Sequence, residues 1–132
     1  AAAQLAADRL ERDYAHAENL RSIVLEELAS VSDWQVNGGP RVSPYILSLS
    51  FFGIEGETLV IETDHAGFAI SSGAACSSRS TEPSHVLIAL RVPGEWLRGT
   101  VRISFGRFNT EESARELGAV IRTSLEKIRR IR

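Results

Sequence analysis

The chain has 132 residues, of which 43% are hydrophobic, and 15 Lys and Arg against 17 Asp and Glu leave a net charge of -2. This length supports one domain over residues 1–132 that buries a core without disulfides or a structural metal. The basic residues are spread along the chain, which argues against a nucleic-acid partner, and no stretch is long and apolar enough to cross a membrane. One cysteine and three histidines permit neither an internal disulfide nor a zinc cluster, so we expect a reducing, cytoplasmic location.

The first predicted element is a long helix over residues 2–29, which no proline or glycine interrupts. Its apolar residues recur at intervals of three and four, as on one face of an amphipathic helix. They are Leu10, Tyr14, Ala17, Leu20, Val24 and Leu28. A short strand is expected at Trp34 to Val36, before the turn signal Asn37-Gly38-Gly39-Pro40. From Tyr45 to Phe51 apolar residues alternate with serines, which predicts a half-buried strand.

The middle of the chain predicts two helices around the segment that holds the single cysteine. Residues 58–62 indicate the first helix, which Gly67 is expected to end in a left-handed conformation. A strand at Phe68 to Ile70 then leads into the cysteine segment. Pro83 suits the first turn of the second helix, which Pro93-Gly94 terminates.

The last two predicted elements are a strand and a long helix. The residues from Val101 to Phe105 alternate as in a strand, with Arg102 and Ser104 on one face. Asn109 is expected to cap the final helix, with Glu112 at its third position to complete a capping box. The buried stripe of this helix is Ala114, Leu117, Ile121, Leu125 and Ile128.

This order of elements predicts an α+β fold, with a small, mostly antiparallel sheet of about four strands covered by helices. The long first and last helices are expected to pack together on one face of that sheet.

Cys76 is the candidate catalytic residue. It lies between the predicted strand and helix in the run Ser71-Ser72-Gly73-Ala74-Ala75-Cys76-Ser77-Ser78. A thiolate is the nucleophilic form of cysteine, and a position near Arg79 and a helix N-terminus would favour it. The competing interpretation is that a lone cysteine is a small buried hydrophobe. Arg79 itself is interpreted as a solvated residue rather than a catalytic one.

Three motifs carry a resemblance to a known family. They are the cysteine run above, then Glu82-Pro83-Ser84 followed by Ala89-Leu90, and finally Arg102-Ile103-Ser104-Phe105-Gly106-Arg107-Phe108-Asn109-Thr110-Glu111-Glu112. In this order they closely resemble the C-terminal small domain of cysteine desulfurases. These enzymes use pyridoxal phosphate and belong to the class V aminotransferases of fold type I. The resemblance covers nearly the whole chain, and the combination is more specific than any single motif.

The resemblance implies a reaction and roles for two residues. Pyridoxal phosphate, held by a lysine of the large domain, activates L-cysteine, and Cys76 takes the substrate sulfur as a persulfide while L-alanine is released. Arg102 matches the arginine that binds the substrate carboxylate, a role that suits a planar, two-pronged donor. The Ser-Ser-Gly form of the loop resembles the subgroup that donates sulfur to an iron–sulfur scaffold protein. In that subgroup Cys76 would be a transient ligand of a nascent cluster, and no other metal role is expected. The full-length family members are homodimers.

The chain differs from the family in its lysine content and at one further position. Its single lysine is Lys127, near the end of the final helix and without the Ser-x-His-Lys context of the family. No residue of this chain is therefore expected to bind pyridoxal phosphate, and the isolated chain is predicted to be inactive. The absence of methionine and the opening Ala-Ala-Ala-Gln lead us to expect an excised or processed piece of a longer protein. Arg91 also stands where the family often has glycine.

Two other functions remain open at this point. The chain could be a stand-alone persulfide carrier or interaction module, or part of another class V enzyme such as a selenocysteine lyase. Arg102 also has an alternative interpretation, in which it is a surface residue that binds no substrate. An arginine on a strand is usually solvated or salt-bridged. We interpret His16, His65 and His85 as structural residues without a catalytic role.

Overall fold

The computed structural model describes residues 1–72 and 84–131. Within these ranges the elements follow in chain order as α1 (Ala2–Glu27), β1 (Trp34–Val36), β2 (Ile46–Phe51), α2 (Gly56–His65), β3 (Ser71–Ser72), α3 (His85–Ala89), α4 (Gly94–Leu97), β4 (Thr100–Ser104) and α5 (Glu111–Arg130). The four strands form one antiparallel sheet in the order β1-β2-β4-β3. The predicted α+β class and the small antiparallel sheet are confirmed.

The core lies between one face of the sheet and helices α1, α2 and α5. Leu47, Leu49 and Phe51 of β2 face it, together with Val101 and Ile103 of β4. The serines of β2 and Arg102 of β4 alternate with these residues and therefore lie on the opposite face. This alternation leaves one polar face of the sheet outside the main core.

Helices α1 and α5 cross at close range, as expected for the first and last helices. A Cβ atom placed on Gly118 of α5 would lie 2.5 Å from the Cβ of Glu27 on α1. Beside this crossing, Arg122 Nη1 donates to the Glu27 carboxylate at 3.0 Å. The predicted stripe of α5 is confirmed, with Ile128 half-buried and the other four residues buried.

The apolar face of α1 is buried only in its second half. Ala17 and Leu20 are buried, whereas Leu10 is 61% exposed and Tyr14 42% exposed. Contacts of α1 with the start of α5 begin near His16, whose Nε2 lies 2.9 Å from the Asn109 carbonyl oxygen. The first half of α1 thus extends beyond the start of α5. Its apolar face has no helix to pack against among the described residues.

The cap of α5 differs from the prediction by one residue. Thr110, not Asn109, is the N-cap, and its Oγ1 accepts from the Ser113 backbone N–H at 3.1 Å. Ser113 Oγ in turn accepts from the Thr110 N–H at 3.0 Å, so Ser113 rather than Glu112 completes the capping box. Asn109 Oδ1 instead accepts from the Gly106 N–H at 2.7 Å and closes the preceding turn.

The strand predicted at Phe68 to Ile70 begins later, at Ser71. As expected, Gly67 has a positive φ, of 88°. The Phe68 N–H is bonded to the Thr63 carbonyl as part of the helix-ending motif, so the chain is still leaving α2 at this point. Among the described residues of this segment, Ser71 and Ser72 are the ones that pair with β4.

The region after the cysteine segment contains one helix more than predicted. Helix α3 begins at His85 after Ser84, and Pro83 lies outside the described residues. Pro93 does follow the end of α3, but it also precedes the four-residue helix α4, where the Trp96 N–H donates to the Pro93 carbonyl.

None of the helices in residues 1–72 and 84–131 combines the length and hydropathy that a bilayer span requires.

Candidate functional site

Arg102 lies on the polar face of the sheet, near its centre. It is paired with Ser48 of β2 on one side and with Ser71 of β3 on the other. Directly paired residues point to the same face of a sheet, so these three side chains form a row. Val101 and Ile103 are buried in the core, whereas Arg102 is exposed. The predicted position of Arg102 and Ser104 on one face of the strand is therefore confirmed.

A buried network of polar side chains holds this face in place. Asn37, just after β1, donates from Nδ2 to Ser48 Oγ at 3.1 Å and to Ser50 Oγ at 2.8 Å. Ser50 Oγ lies 2.7 Å from Thr100 Oγ1, which donates to the Trp96 carbonyl at 3.2 Å. Since each buried polar group has a partner, the network ties β1, β2, β4 and α4 into one rigid floor.

A cleft of about 470 Å³ lies above this floor. Its apolar wall consists of Val86, Leu87 and Leu90, from α3 and the residue after it. The facing wall is the β1–β2 connection, residues 38–43, and Arg21 of α1 lines the cleft as well. The cleft thus combines an apolar side with polar and cationic groups, as small-molecule sites generally do.

The described part of the cleft lining is cationic. Arg21, Arg41 and Arg102 line it, whereas no Asp or Glu of the described residues does. This excess of positive charge occurs in a chain whose net charge is -2. Within the described residues, the Arg102 guanidinium makes one long contact, from Nη2 to Ser71 Oγ at 3.5 Å. A guanidinium has five N–H donors, so most of those on Arg102 have no partner within residues 1–72 and 84–131.

Cys76, the predicted catalytic residue, lies outside the described residues, as does Arg79. The described residues on either side of this segment are Ser72 and Ser84, and both line the cleft. Ser72 also pairs with Val101, the neighbour of Arg102 on β4. The described residues at both ends of the segment that carries Cys76 therefore lie at the cleft.

Lys127 is not part of the cleft. It lies on α5, where its Nζ donates to both carboxylate oxygens of Glu62 on α2 at 2.8 Å. The only lysine of the chain is thus held on the helical layer and does not line the cleft. Pyridoxal phosphate, the cofactor that the family implies, requires a lysine beside the reacting substrate, so the residues present do not fit it on their own.

The histidines show no catalytic arrangement. His16 bonds to the Asn109 carbonyl at 2.9 Å and connects α1 to the residue before the α5 cap. His65 is the last residue of α2 and His85 the first of α3, and both are exposed. In the described ranges no three His, Cys, Asp or Glu side chains lie close enough together to hold a metal ion.

Sequence analysis missed several residues that the fold brings to the cleft. Asn37 was seen only as part of a turn signal, although its side chain is buried and holds two serines of β2. Arg21 follows a buried leucine on α1 and gave no signal of its own. The one signal in the sequence that could have indicated a network is an asparagine directly after a predicted strand. Arg21 and Arg41 meet the cleft only through tertiary folding.

The fold and the cleft define an α+β domain that presents an arginine on the free face of an open antiparallel sheet. A family model described as Aminotransferase class-V matches residues 1–117. The chain therefore belongs to the aminotransferase class-V family, and the family resemblance predicted from its motifs is confirmed.

The similar proteins are cysteine desulfurases. The cysteine desulfurase IscS of Neisseria meningitidis serogroup C (strain 053442) is 37% identical over 129 residues, which are 97% of this chain and 31% of the relative. The enzyme of the same name from Photobacterium profundum is 40% identical over 128 residues, which are 96% of this chain and again 31% of the relative. A solved NifS-like protein superposes with a TM-score of 0.77 at 28% identity, over 93% of this chain and 30% of that one. The chain thus spans less than a third of the length of these relatives.

Proposed function

We propose that the chain is the small domain of a cysteine desulfurase and that it supplies two residues to the reaction. Arg102 binds the carboxylate of L-cysteine and Cys76 takes the sulfur as a persulfide, with L-alanine as the other product. Pyridoxal phosphate is carried by a large domain outside this chain, so the chain alone is inactive. The similarity to cysteine desulfurases over 97% of the chain supports this assignment.

One observation of the structure carries the proposal. The Arg102 guanidinium, which forms no ion pair with the described residues, lies in a cleft that is lined by Ser72 and Ser84, the residues that flank the segment containing Cys76. An extended chain covers about 3.5 Å per residue, so the four residues from Ser72 to Cys76 span at most about 14 Å. This short span supports a reaction between an amino acid bound at Arg102 and the thiol of Cys76.

Arg102 is suited to hold and orient an amino-acid carboxylate. Its neighbours on the floor are the hydroxyls of Ser48 and Ser71, which do not neutralise it. The buried network of Asn37 and Ser50 keeps the strands beneath it fixed. Paired N–H donors of a guanidinium match the two oxygens of a carboxylate, which fixes the direction of the bound ligand as well as its position.

The persulfide on Cys76 needs an acceptor. We propose that a sulfur-acceptor protein, such as an iron–sulfur scaffold, takes it in a reducing compartment, the cytoplasm. The full-length protein is proposed to be a homodimer.

The test joins the chain to a lysine-bearing, pyridoxal-phosphate-binding domain and supplies L-cysteine. We expect alanine release together with cyanide-labile sulfur on Cys76, and Cys76→Ser should abolish the protein-bound sulfur. If a correctly folded, cofactor-loaded protein releases no alanine, the desulfurase assignment is wrong. Labelling of Cys76 by sulfur from a separate donor enzyme would then favour the persulfide carrier.

The role of Arg102 has its own variant. Arg102→Gln keeps a hydrogen-bond donor but removes the charge and the two-pronged geometry. Loss of a hydrogen bond to a charged group costs about 1.5–3 kcal/mol, so kcat/KM for L-cysteine should fall by roughly tenfold to more than a hundredfold, mainly through a higher KM. Arg98→Gln is the matched control, because Arg98 is 81% exposed, pairs with Glu55 and does not line the cleft. Equal effects of the two variants would refute the carboxylate role.

A further inference from the structure

We infer that the cleft contains a second anion-binding subsite, formed by Arg21 and Arg41, that takes a carboxylate or phosphate group. Arg21 projects from α1 and Arg41 belongs to the turn between β1 and β2, so neither shares an element with Arg102. The inference concerns binding to this chain and does not depend on the proposed desulfurase activity.

The first observation is an unsatisfied donor. Arg21 Nε is buried, yet it has no hydrogen-bond partner among the described residues. Nearly all buried polar groups in folded proteins have a partner, and an orphaned group on a charged side chain is an exception that calls for a ligand or an ion. An oxyanion placed against the guanidinium would supply the missing acceptor.

The second observation is the absence of compensating charge. No ion pair within the described residues involves Arg21, Arg41 or Arg102. Glu18 lines a neighbouring recess together with Arg21, but the two side chains form no salt bridge. Three guanidinium groups that form no ion pair within residues 1–72 and 84–131 share one concave site and attract anions, because a cleft concentrates the field of like charges.

The third observation is that the residues of the two subsites belong to different elements, Arg21 to α1, Arg41 to the β1–β2 connection and Arg102 to β4. Between β1 and β4 lies β2, so about two strand spacings, or roughly 10 Å, separate the Asn37 end of the floor from Arg102. The turn that carries Arg41 starts directly after Asn37. L-Cysteine has one carboxylate, which Arg102 would satisfy alone. The subsite at Arg21 therefore fits a different anion, or the far end of a ligand with two acidic groups.

The test uses the 132-residue chain and inorganic phosphate as the probe, with acetate titrated in parallel at constant ionic strength. Binding is followed by the amide NMR shifts of Gly38, Gly39 and residues 41–43. The Arg102→Gln variant removes the first subsite, so we expect it to retain phosphate binding. Adding Arg21→Gln to this variant should weaken that binding at least tenfold, whereas adding Arg98→Gln should not. Phosphate binding without acetate binding would identify a phosphate site, and the reverse a carboxylate site.

Two further variants keep the test decisive if Arg21→Gln disturbs the fold. Arg21→Lys retains the charge but lacks Nε, and it should bind the probe more weakly while circular dichroism stays unchanged. Arg41→Gln changes an exposed residue and should weaken binding as well. The inference is overturned if the Arg102→Gln chain binds neither probe, or if it binds as tightly after Arg21 and Arg41 are both replaced.

Discussion

Arg91 ends helix α3 in a backbone conformation that glycine adopts at lower cost. Its φ is 57°, and its N–H donates to the Ile88 carbonyl while that of Val92 donates to the Leu87 carbonyl. This pair of bonds is the Schellman motif, whose left-handed position is usually glycine. A side chain there costs about 1–2 kcal/mol, part of which the greater freedom of unfolded glycine offsets. We expect Arg91→Gly to raise the free energy of unfolding by about 0.5–1 kcal/mol, measured by urea denaturation.

Gly67 offers the reciprocal experiment, because it holds the same position after α2 with a φ of 88°. Nothing lies within 4 Å of a Cβ placed there, so Gly67→Ala tests the backbone alone. It should lower the free energy of unfolding by about 1 kcal/mol. A loss of stability in Arg91→Gly would show that the Arg91 side chain makes a contribution larger than its backbone strain.

At the residue scale, the sequence predicted those features of the site that depend on local pattern. Alternation along β4 was enough to place Arg102 on the free face, whereas the choice of Cys76 rests on its flanking motif and stays a prediction. The contributions of Arg21 and Asn37 could not be predicted in this way. Arg21 reaches the cleft because α1 passes under the β1–β2 connection, and Asn37 is buried because β2 pairs beside it. Both facts belong to tertiary packing, which local periodicity does not encode.

At the element scale, the crossing of α1 and α5 depends on Gly118. A Cβ at this position would lie 2.5 Å from Glu27 Cβ and 2.9 Å from Glu27 Cγ, atoms near the backbone that cannot swing away. In an open helix Gly→Ala stabilises by about 1 kcal/mol, whereas overpacking a tight contact costs about 1–3 kcal/mol. The steric cost should prevail, so Gly118→Ala is expected to lower the urea midpoint by an amount equivalent to about 1 kcal/mol.

The control for Gly118 is Gly94, the first residue of α4, where a Cβ would meet no atom within 4 Å. Gly94→Ala should change the free energy of unfolding by less than about 0.5 kcal/mol. An increase in stability on Gly118→Ala would mean that the two helices can move apart freely, and the crossing would then not be a constraint on the fold.

The element predictions were wrong where two neighbouring residues compete for one role. Asn109 and Thr110 are both good N-cap residues, and the choice depends on the turn before the helix. Gly106 donates its N–H to Asn109, which leaves Thr110 to cap α5. Phe68 to Ile70 likewise has the composition of a strand, but the described residues that lie opposite β4 are Ser71 and Ser72. Long elements with a strong period, such as α5 and β2, were predicted correctly because many residues support each one.

At the scale of the whole molecule, stability should be unevenly distributed along α1. Residues 1–8 are all exposed, whereas Ala17, Leu20 and Val24 belong to the main core with β2 and β4. A helical end without tertiary contacts frays, since short helices are marginal in water. The amides of residues 2–8 should therefore exchange with solvent through local opening, while those of β2 and β4 should exchange only through global unfolding.

Two N-terminal truncations measure this difference in stability between the exposed start and the buried second half of α1. Removing residues 1–8 deletes no buried side chain, so the free energy of unfolding should change by less than about 0.5 kcal/mol. Removing residues 1–20 also deletes Ala17 and Leu20, which are 1% and 0% exposed. Because loss of one large core side chain already costs about 2–5 kcal/mol, this chain should lose its cooperative urea transition. If the shorter deletion destabilised the protein as much as the longer one, the first two turns of α1 would have to be packed against the fold, contrary to their exposure in the structure.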